Sequence, residues 1–198
     1  ESLGRSANTF DELYAALNAP ATYLDTILLD ILEKHIQKVQ PKLVCISVPF
    51  PGNLYTSLRC GRWIKQHHPT IKVAMGGGFA NTELRSLSDP RVFEFYDFIT
   101  LDDGETPIEL LIKHIDGKIE VQDLKRCFTL LNGVVTYING SIQPDYKQHQ
   151  LGTPDYDGLW LDQYISVIEL VNPMHSLWSD GRWNKLTMAH GCYWGKCT

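Results

Sequence analysis

The feature that most constrains this chain is a regular alternation of short apolar segments and amphipathic segments between residues 43 and 117. Leu43–Val48 is almost wholly apolar and rich in β-branched residues, which is typical of a strand buried on both faces. Further strands are predicted at Ile71–Met75 and Tyr96–Thr100, with a predicted helix after each of the three. This spacing predicts parallel βαβ units in a doubly wound α/β sheet, of the Rossmann or flavodoxin-like kind.

The predicted helices carry the apolar stripes and caps of elements that pack on such a sheet. A short first helix begins with Thr9 and Glu12, spaced as in a capping box. The last helix, which ends at Gly117, has Thr106 and Glu109 in the same spacing, with Pro107 at its first position. The second helix bears one stripe that we expect to face the core, made of Leu24, Ile27, Leu28, Ile31 and His35.

The character of the chain changes after the last of these helices. Phe128–Leu131 and Val134–Ile138 flank Asn132-Gly133, a dipeptide that favours the type I′ turn of a hairpin. A polar, turn-rich connector follows, and Lys185–His190 is predicted to be an isolated strand. The predicted organisation has an α/β domain at residues 1–120, a hairpin and connector at 121–184, and the start of another domain at 185–198.

Composition narrows the functional classes. The chain of 198 residues has 43% apolar and 21% charged residues, which is ordinary for a globular protein. Its net charge of −5 argues against a nucleic-acid-binding surface, and no uncharged stretch reaches the roughly 20 apolar residues of a membrane span. Five unevenly spread cysteines favour a reducing, cytoplasmic location. Because it begins at Glu1 without methionine and stops at Thr198, we expect a piece of a longer protein.

Candidate binding residues follow the predicted strands, since ligands of parallel sheets bind beyond the carboxyl ends of the strands. The Ser47 hydroxyl can bond either a ligand or its own backbone. Glycines there either let a bulky ligand approach the backbone or serve only a turn. No segment matches a dinucleotide-binding or phosphate-binding glycine motif. The candidates are Ser47 and Pro49 after the first strand, Gly76, Gly77 and Gly78 after the second, and Gly104 and Glu105 after the third.

The cysteines fall into two groups. Cys192 and Cys197, with four residues between them, follow the predicted strand Lys185–His190 and can both face one metal ion, or remain free thiols. His190 is close enough to join them, although a structural role suits it better. The other three are expected to be small buried residues: Cys45, Cys60 and Cys127.

Taken together, these segments resemble the cobalamin-binding radical SAM proteins, in particular the Fe–S oxidoreductases related to anaerobic magnesium-protoporphyrin ester cyclases. The resemblance covers residues 41–198, and its main motifs are the strand Leu43–Val48, the three-glycine loop and the helix-opening turn Asp103–Pro107. It continues through the hairpin and the connector at Thr153–Tyr156 into Cys192. Two features depart from the family. Its cluster motif usually has three residues between the first two cysteines, and this chain has no D-x-H-x-x-G motif to supply a histidine to cobalt.

The resemblance implies that cobalamin binds at the strand ends. It also implies that Cys192 and Cys197, with a third cysteine outside this sequence, hold a [4Fe–4S] cluster that binds S-adenosylmethionine. The longer protein would be an oxidoreductase or methyltransferase whose small-molecule substrate binds in a C-terminal radical SAM barrel, and this chain alone would not be catalytic. Two alternatives stay open: a flavodoxin-like scaffold without a ligand, and a structural zinc site at the two cysteines.

Overall fold

A computed structural model of the protein describes residues 10–153, 155 and 157–159. The chain divides into two compact units, Glu1–Asp145 and Tyr146–Thr198. All the α-helices and strands of the described residues lie in the first unit. The helices are α1 (Phe10–Asn18), α2 (Tyr23–Val39), α3 (Leu54–His67), α4 (Gly78–Glu83) and α5 (Glu105–Ile115). The strands are β1 (Leu43–Ser47), β2 (Lys72–Gly76), β3 (Phe98–Thr100), β4 (Cys127–Leu131) and β5 (Val134–Ile138).

The five described strands form one mixed sheet in the order β1-β2-β3-β4-β5. The first three strands are parallel, as predicted, and the last two are antiparallel to their neighbours. This is an α/β architecture compatible with a Rossmann-like fold. The strand order does not reverse among the described residues.

The hairpin forms where the sequence predicts it. Asn132 and Gly133 have φ angles of 51° and 80°, so both central residues are left-handed, as a type I′ turn requires. Strand β4 pairs with β3 through Thr100↔Cys127 and the two preceding positions of β3. The hairpin is therefore part of the main sheet. The first compact unit extends to Asp145, whereas the sequence analysis ends its first domain at residue 120.

The two faces of the sheet differ in cover. One face, which we call the closed face, packs against α1, α2 and α3 in a single core cluster. The opposite face, the open face, packs under α5 in a smaller cluster that contains Ala74, Phe98 and Cys127. The closed-face side chains of the parallel strands are Val44, Ile46, Val73, Met75 and Ile99.

The prediction that β1 is buried on both faces is wrong. Among the described strands β1 pairs only with β2, so it lies at the edge of the sheet. Cys45 and Ser47, which project from the open face, are exposed, while Val48 just after the strand is fully buried. An apolar run indicates a strand, but its cover depends on helices contributed from elsewhere in the chain.

The predicted buried stripe of α2 is also wrong. Leu24 and Ile31 are 75% and 50% exposed, and the buried positions are instead Asp25 and Ile36. Asp25 forms a reciprocal cap with Thr22, with N···O distances of 2.8 and 3.2 Å. Its carboxylate also accepts from the Tyr55 hydroxyl at 3.0 Å and lies 3.6 Å from Arg59 Nε, so this side of α2 faces α3. Apolar periodicity does not register these polar contacts.

Two predicted helix starts need correction. Helix α5 has Gly104 as its N-cap without a side-chain cap bond, so the capping box of Thr106 and Glu109 is not formed. The Thr106 hydroxyl is buried and donates to the carbonyl oxygen of Pro144 at 3.4 Å. Helix α4 begins at Gly78, about three residues before its predicted start. Thr9, the predicted cap of the first helix, lies outside the described residues.

Within the described part of the chain, no helix has both the length and the apolar character needed to cross a lipid bilayer.

Candidate functional site

A cavity of about 290 Å³ lies on the open face, at the carboxyl ends of the three parallel strands. It brings together four of the predicted binding residues, which come from three separate segments at the strand ends: Ser47, Gly76, Gly77 and Gly104. The other three, Pro49, Gly78 and Glu105, are exposed and do not line it. The remaining lining residues are Cys45, Ile46, Ala74, Met75, Thr100, Asp102 and Ile108.

The cavity exists because the open face is covered unevenly. Helix α5 buries Ala74 and Phe98 of the inner strands through Leu110 and Leu111. Among the described elements no helix covers the neighbouring side chain of β1, so Cys45 stays exposed beside buried Ala74, its register partner. The uncovered strip between β1 and the start of α5 is the floor of the cavity.

Close packing of the backbone explains why glycines form the turn after β2. Gly77 has φ +99°, and a Cβ there would lie 2.8 Å from both the nitrogen and the oxygen of Val48. A Cβ on Gly78 would lie 2.8 Å from the carbonyl oxygen of Pro49. Phe79 N–H donates to the Val48 carbonyl at 2.9 Å, which holds the turn against the end of β1. Both glycines therefore let the chain pass itself closely without needing a ligand, and Gly77 also lines the cavity.

The opposite wall is a loop held by side chains that sequence analysis missed. Asp102 has φ +61°, and its N–H donates to Asn81 Oδ1 at 2.6 Å. Its carboxylate pairs with Arg85, and Arg126 donates to the Asp103 carbonyl at 2.9 Å. Three contacts on two successive residues leave this wall preorganised. The residues that hold this loop lie about 20 positions before or after it in the sequence, and no local motif predicts their role.

Arg126 also ties this wall to the chain that follows the hairpin. Its two terminal nitrogens donate to the two carboxylate oxygens of Asp145, each at 2.8 Å. This fork lowers the pKa of Asp145 to about 2, with a smaller contribution from Lys125 at 3.3 Å. The end of the first compact unit is thus bonded to the arginine that holds the site loop.

The cysteines do not share one environment. Cys127 is buried and Cys60 is half-buried, and burial raises their pKa values to about 12 and about 11. Cys45 is exposed, which corrects the expectation that it is a buried residue. Partial desolvation still raises the pKa of its thiol, so it is no activated nucleophile.

No cluster of three or more histidine, cysteine or acidic side chains that could hold a metal occurs in the described ranges. The predicted ligands Cys192 and Cys197, with His190, lie outside those ranges.

The lining suits noncovalent binding of a neutral polar ligand. Its hydroxyls are those of Ser47 and of Thr100, which donates to the Met75 carbonyl at 3.3 Å. Its one carboxylate, Asp102, is already paired with arginine. The cavity therefore offers hydrogen bonds and apolar contact, and no acid–base pair is present among its lining residues.

This chain has no match among protein-family models, curated proteins or solved structures.

Proposed function

We propose that this chain is the cobalamin-binding-type α/β domain of a radical SAM protein, an Fe–S oxidoreductase or methyltransferase. The observation that supports the proposal most is the meeting of Ser47, Gly76, Gly77 and Gly104 in one cavity at the strand ends. Motifs far apart in the sequence thus converge where ligands of α/β sheets bind. In this proposal the sheet belongs to a doubly wound, flavodoxin-like fold, and residues 185–198 begin a radical SAM barrel.

The cavity fits part of cobalamin. Its volume of about 290 Å³ lies just below the roughly 300–1,000 Å³ of small-molecule sites, so it would take only one arm of so large a cofactor. Cobalamin carries neutral amide groups, which the hydroxyls of Ser47 and Thr100 and the backbone at Gly104 would bind. When bound, cobalamin supplies methyl transfer or redox chemistry, and the residues of this chain bind and orient it.

The cluster part of the proposal concerns the end of the chain. Cys192 and Cys197 are proposed as two of the three thiolates that hold a [4Fe–4S] cluster, which in turn binds S-adenosylmethionine. The small-molecule substrate then belongs to the barrel that follows, in a cytoplasmic enzyme. The two cofactors use separate parts of the protein, so their binding can be tested separately.

A second candidate is a flavodoxin-like scaffold that binds no cofactor. One observation favours it specifically: close packing against Val48 and Pro49 explains Gly77 and Gly78 without any ligand. Under this alternative the cavity is simply the uncovered end of an edge strand. The zinc alternative concerns Cys192 and Cys197 alone.

Titration of hydroxocobalamin into the purified chain separates these functions. We expect the corrin absorption to co-elute with the protein in gel filtration. Ser47→Phe, which places a ring at the cavity mouth, should weaken binding at least tenfold. Val134→Phe is the matched control, because Val134 is 65% exposed on β5 and away from the cavity.

Circular dichroism of both variants checks that they fold. A folded wild-type chain that retains no corrin would overturn the cobalamin proposal and support the scaffold. Equal affinity of the wild type and the folded Ser47→Phe variant would remove the cavity from the site.

A further inference from the structure

Another cavity, of about 400 Å³, lies at the opposite end of the parallel strands from the candidate site. Lys72 begins β2, Asp97 directly precedes β3, and Leu131 ends β4, which is antiparallel to β3. These lining residues place the cavity at the amino ends of β2 and β3, and we call it the amino-end cavity. All its lining residues belong to the first compact unit, and none of them lines the candidate site.

The charges in the amino-end cavity do not balance. The ammonium groups of Lys65, near the end of α3, and Lys72 approach the same carboxylate oxygen, Asp97 Oδ1, at 2.9 and 3.6 Å. The other oxygen, Oδ2, accepts from the Val73 N–H at 2.9 Å. No other described residue that lines the cavity is acidic. Two ammonium groups against one carboxylate leave an excess positive charge, although the chain as a whole has a net charge of −5.

Both lysines keep donors for a ligand. An ammonium group has three N–H donors, and the bond to Asp97 uses one of those on Lys65. Lys72, at 3.6 Å, is beyond hydrogen-bonding distance of the same oxygen. The side chains of Lys65 and Lys72 are 27% and 46% exposed. Because water screens such partly buried charges less than fully exposed ones, they attract an anion in the cavity more strongly than surface lysines do.

An apolar wall lies beside these charges. Phe93 and Phe98 are buried at the cavity, and Leu130 of β4 also lines it. The His114 ring stands edge-on to Phe98, with ring centroids 6.0 Å apart. His114 Nδ1 donates to the Ile119 carbonyl at 3.1 Å, since a carbonyl oxygen can only accept, so only Nε2 remains for a ligand. The cavity thus combines a cationic group with an apolar surface.

We propose that the amino-end cavity binds a small organic carboxylate. The single negative charge of such a ligand balances the excess charge of Lys65 and Lys72, and its apolar body packs against Phe98. The volume of about 400 Å³ lies within the roughly 300–1,000 Å³ of small-molecule sites. Since the cavity lies at the other end of the strands from the candidate site, this inference does not depend on the proposed cofactor.

Titration of 2-naphthoate into the ¹⁵N-labelled full chain, followed by two-dimensional NMR, tests the proposal. 2-Naphthamide is the matched uncharged probe, because it differs only in carrying a carboxamide. We expect 2-naphthoate to shift the backbone N–H signals of Phe98 and Thr129 with a dissociation constant of about 1 mM or lower. The signals of Gly76 and Gly104, in the candidate site, should stay in place. 2-Naphthamide should bind at least tenfold more weakly.

Two lysine variants test the source of the attraction. Lys65→Met and Lys72→Met should each weaken 2-naphthoate binding at least threefold, as expected for the loss of one partly exposed ion pair. Lys72 is the more exposed of the two, so its replacement disturbs folding least. Lys34→Met is the matched control, because Lys34 also pairs with an aspartate, Asp30 at 2.6 Å, but does not line the cavity.

Unchanged Phe98 and Thr129 signals at about 10 mM 2-naphthoate would overturn the proposal, whether the cavity binds too weakly or another part of the chain fills it. Equal affinity for 2-naphthamide would also overturn it, because the charge would then play no part. So would an affinity that both folded lysine variants leave unchanged.

Discussion

The two faces of the sheet show how one chain can hold both a dense core and an open site. On the closed face, Val73, Met75 and Ile99 are at most 1% exposed beneath the first three helices. On the open face, Cys45 and Ser47 of the edge strand are exposed, whereas Ala74 and Phe98 of the inner strands are buried in the cluster with α5. Strands of similar apolar character are thus buried at the centre of the sheet and partly exposed at its edge. A candidate binding site arises where cover is missing at the strand ends.

Polar side chains are used differently on the two sides. Arg59, on α3, is buried and donates to the Leu17 carbonyl at 2.9 Å and the Ala16 carbonyl at 3.2 Å, which fixes the end of α1. Arg85, at the rim of the cavity, is half exposed, pairs with Asp102 and donates to the Asn81 carbonyl at 2.7 Å. The first arginine supports the core, and the second shapes a surface.

The largest expected effect comes from the closed face. Arg59→Ala should lower the free energy of unfolding by about 4 kcal/mol, because it leaves the buried carboxylate of Asp25, 3.6 Å from the guanidinium, without its charge partner. Arg85→Ala should cost less than about 1 kcal/mol, since its ion pair is exposed. Urea denaturation of both variants measures the difference. Similar decreases in the free energy of unfolding for the two variants would contradict the contrast between the faces.

A smaller effect is expected at the glycine turn. Gly77→Ala should cost about 2 kcal/mol, because it places a Cβ in the positive-φ region and against Val48. Gly52→Ala, where nothing lies within 4 Å of the added Cβ, should change stability by less than about 0.5 kcal/mol. Thermal melts compare the two. An undiminished melting temperature for Gly77→Ala would contradict the packing role and leave ligand approach as the reason for that glycine.

Cysteine accessibility gives a test that needs no loss of stability. Under native conditions iodoacetamide at about pH 8.5 should modify Cys45 well before Cys60 and Cys127, since only Cys45 is exposed among these three. Peptide mass spectrometry follows each site. Hydroxocobalamin should slow the modification of Cys45 if it fills the cavity. Faster labelling of Cys127 than of Cys45 would contradict the assignment of Cys45 as exposed and Cys127 as buried.

The smallest effect concerns the pH dependence of the loop clamp. The pKa of Asp145 is lowered from 3.8 to about 2, so its stabilising ion pair is complete above about pH 4 and is lost as pH falls through 2. Asp145→Asn should therefore lower the melting temperature slightly at pH 6, and the difference from wild type should shrink between pH 4 and pH 2. Scanning calorimetry across this range checks the trend. A difference in melting temperature that stays constant from pH 4 to pH 2 would mean that the charge of Asp145 does not stabilise its pairing with Arg126.

Local chemistry was enough to predict much of the fold. The β-branched runs at β1 and β2 predict strands within one residue of their observed bounds, and Asn132-Gly133 predicts the hairpin because it tolerates left-handed backbone. The positions of Ser47 and Gly104 at strand and helix ends follow from the same patterns. Such features depend on neighbours a few residues away, which the sequence displays directly.

Tertiary structure alone decided which of these elements are covered. The exposure of Cys45 and Ile31 and the clamp of Arg126 on Asp103 depend on residues far apart in the chain. Burial is a property of what packs above a side chain, and hydrophobicity measures only its tendency to be covered. The amino-acid sequence therefore determined where strands, turns and strand-end loops occur. Among the described residues, long-range packing decided that the edge of β1, the apolar stripe of α2 and the cavity at the strand ends stay open.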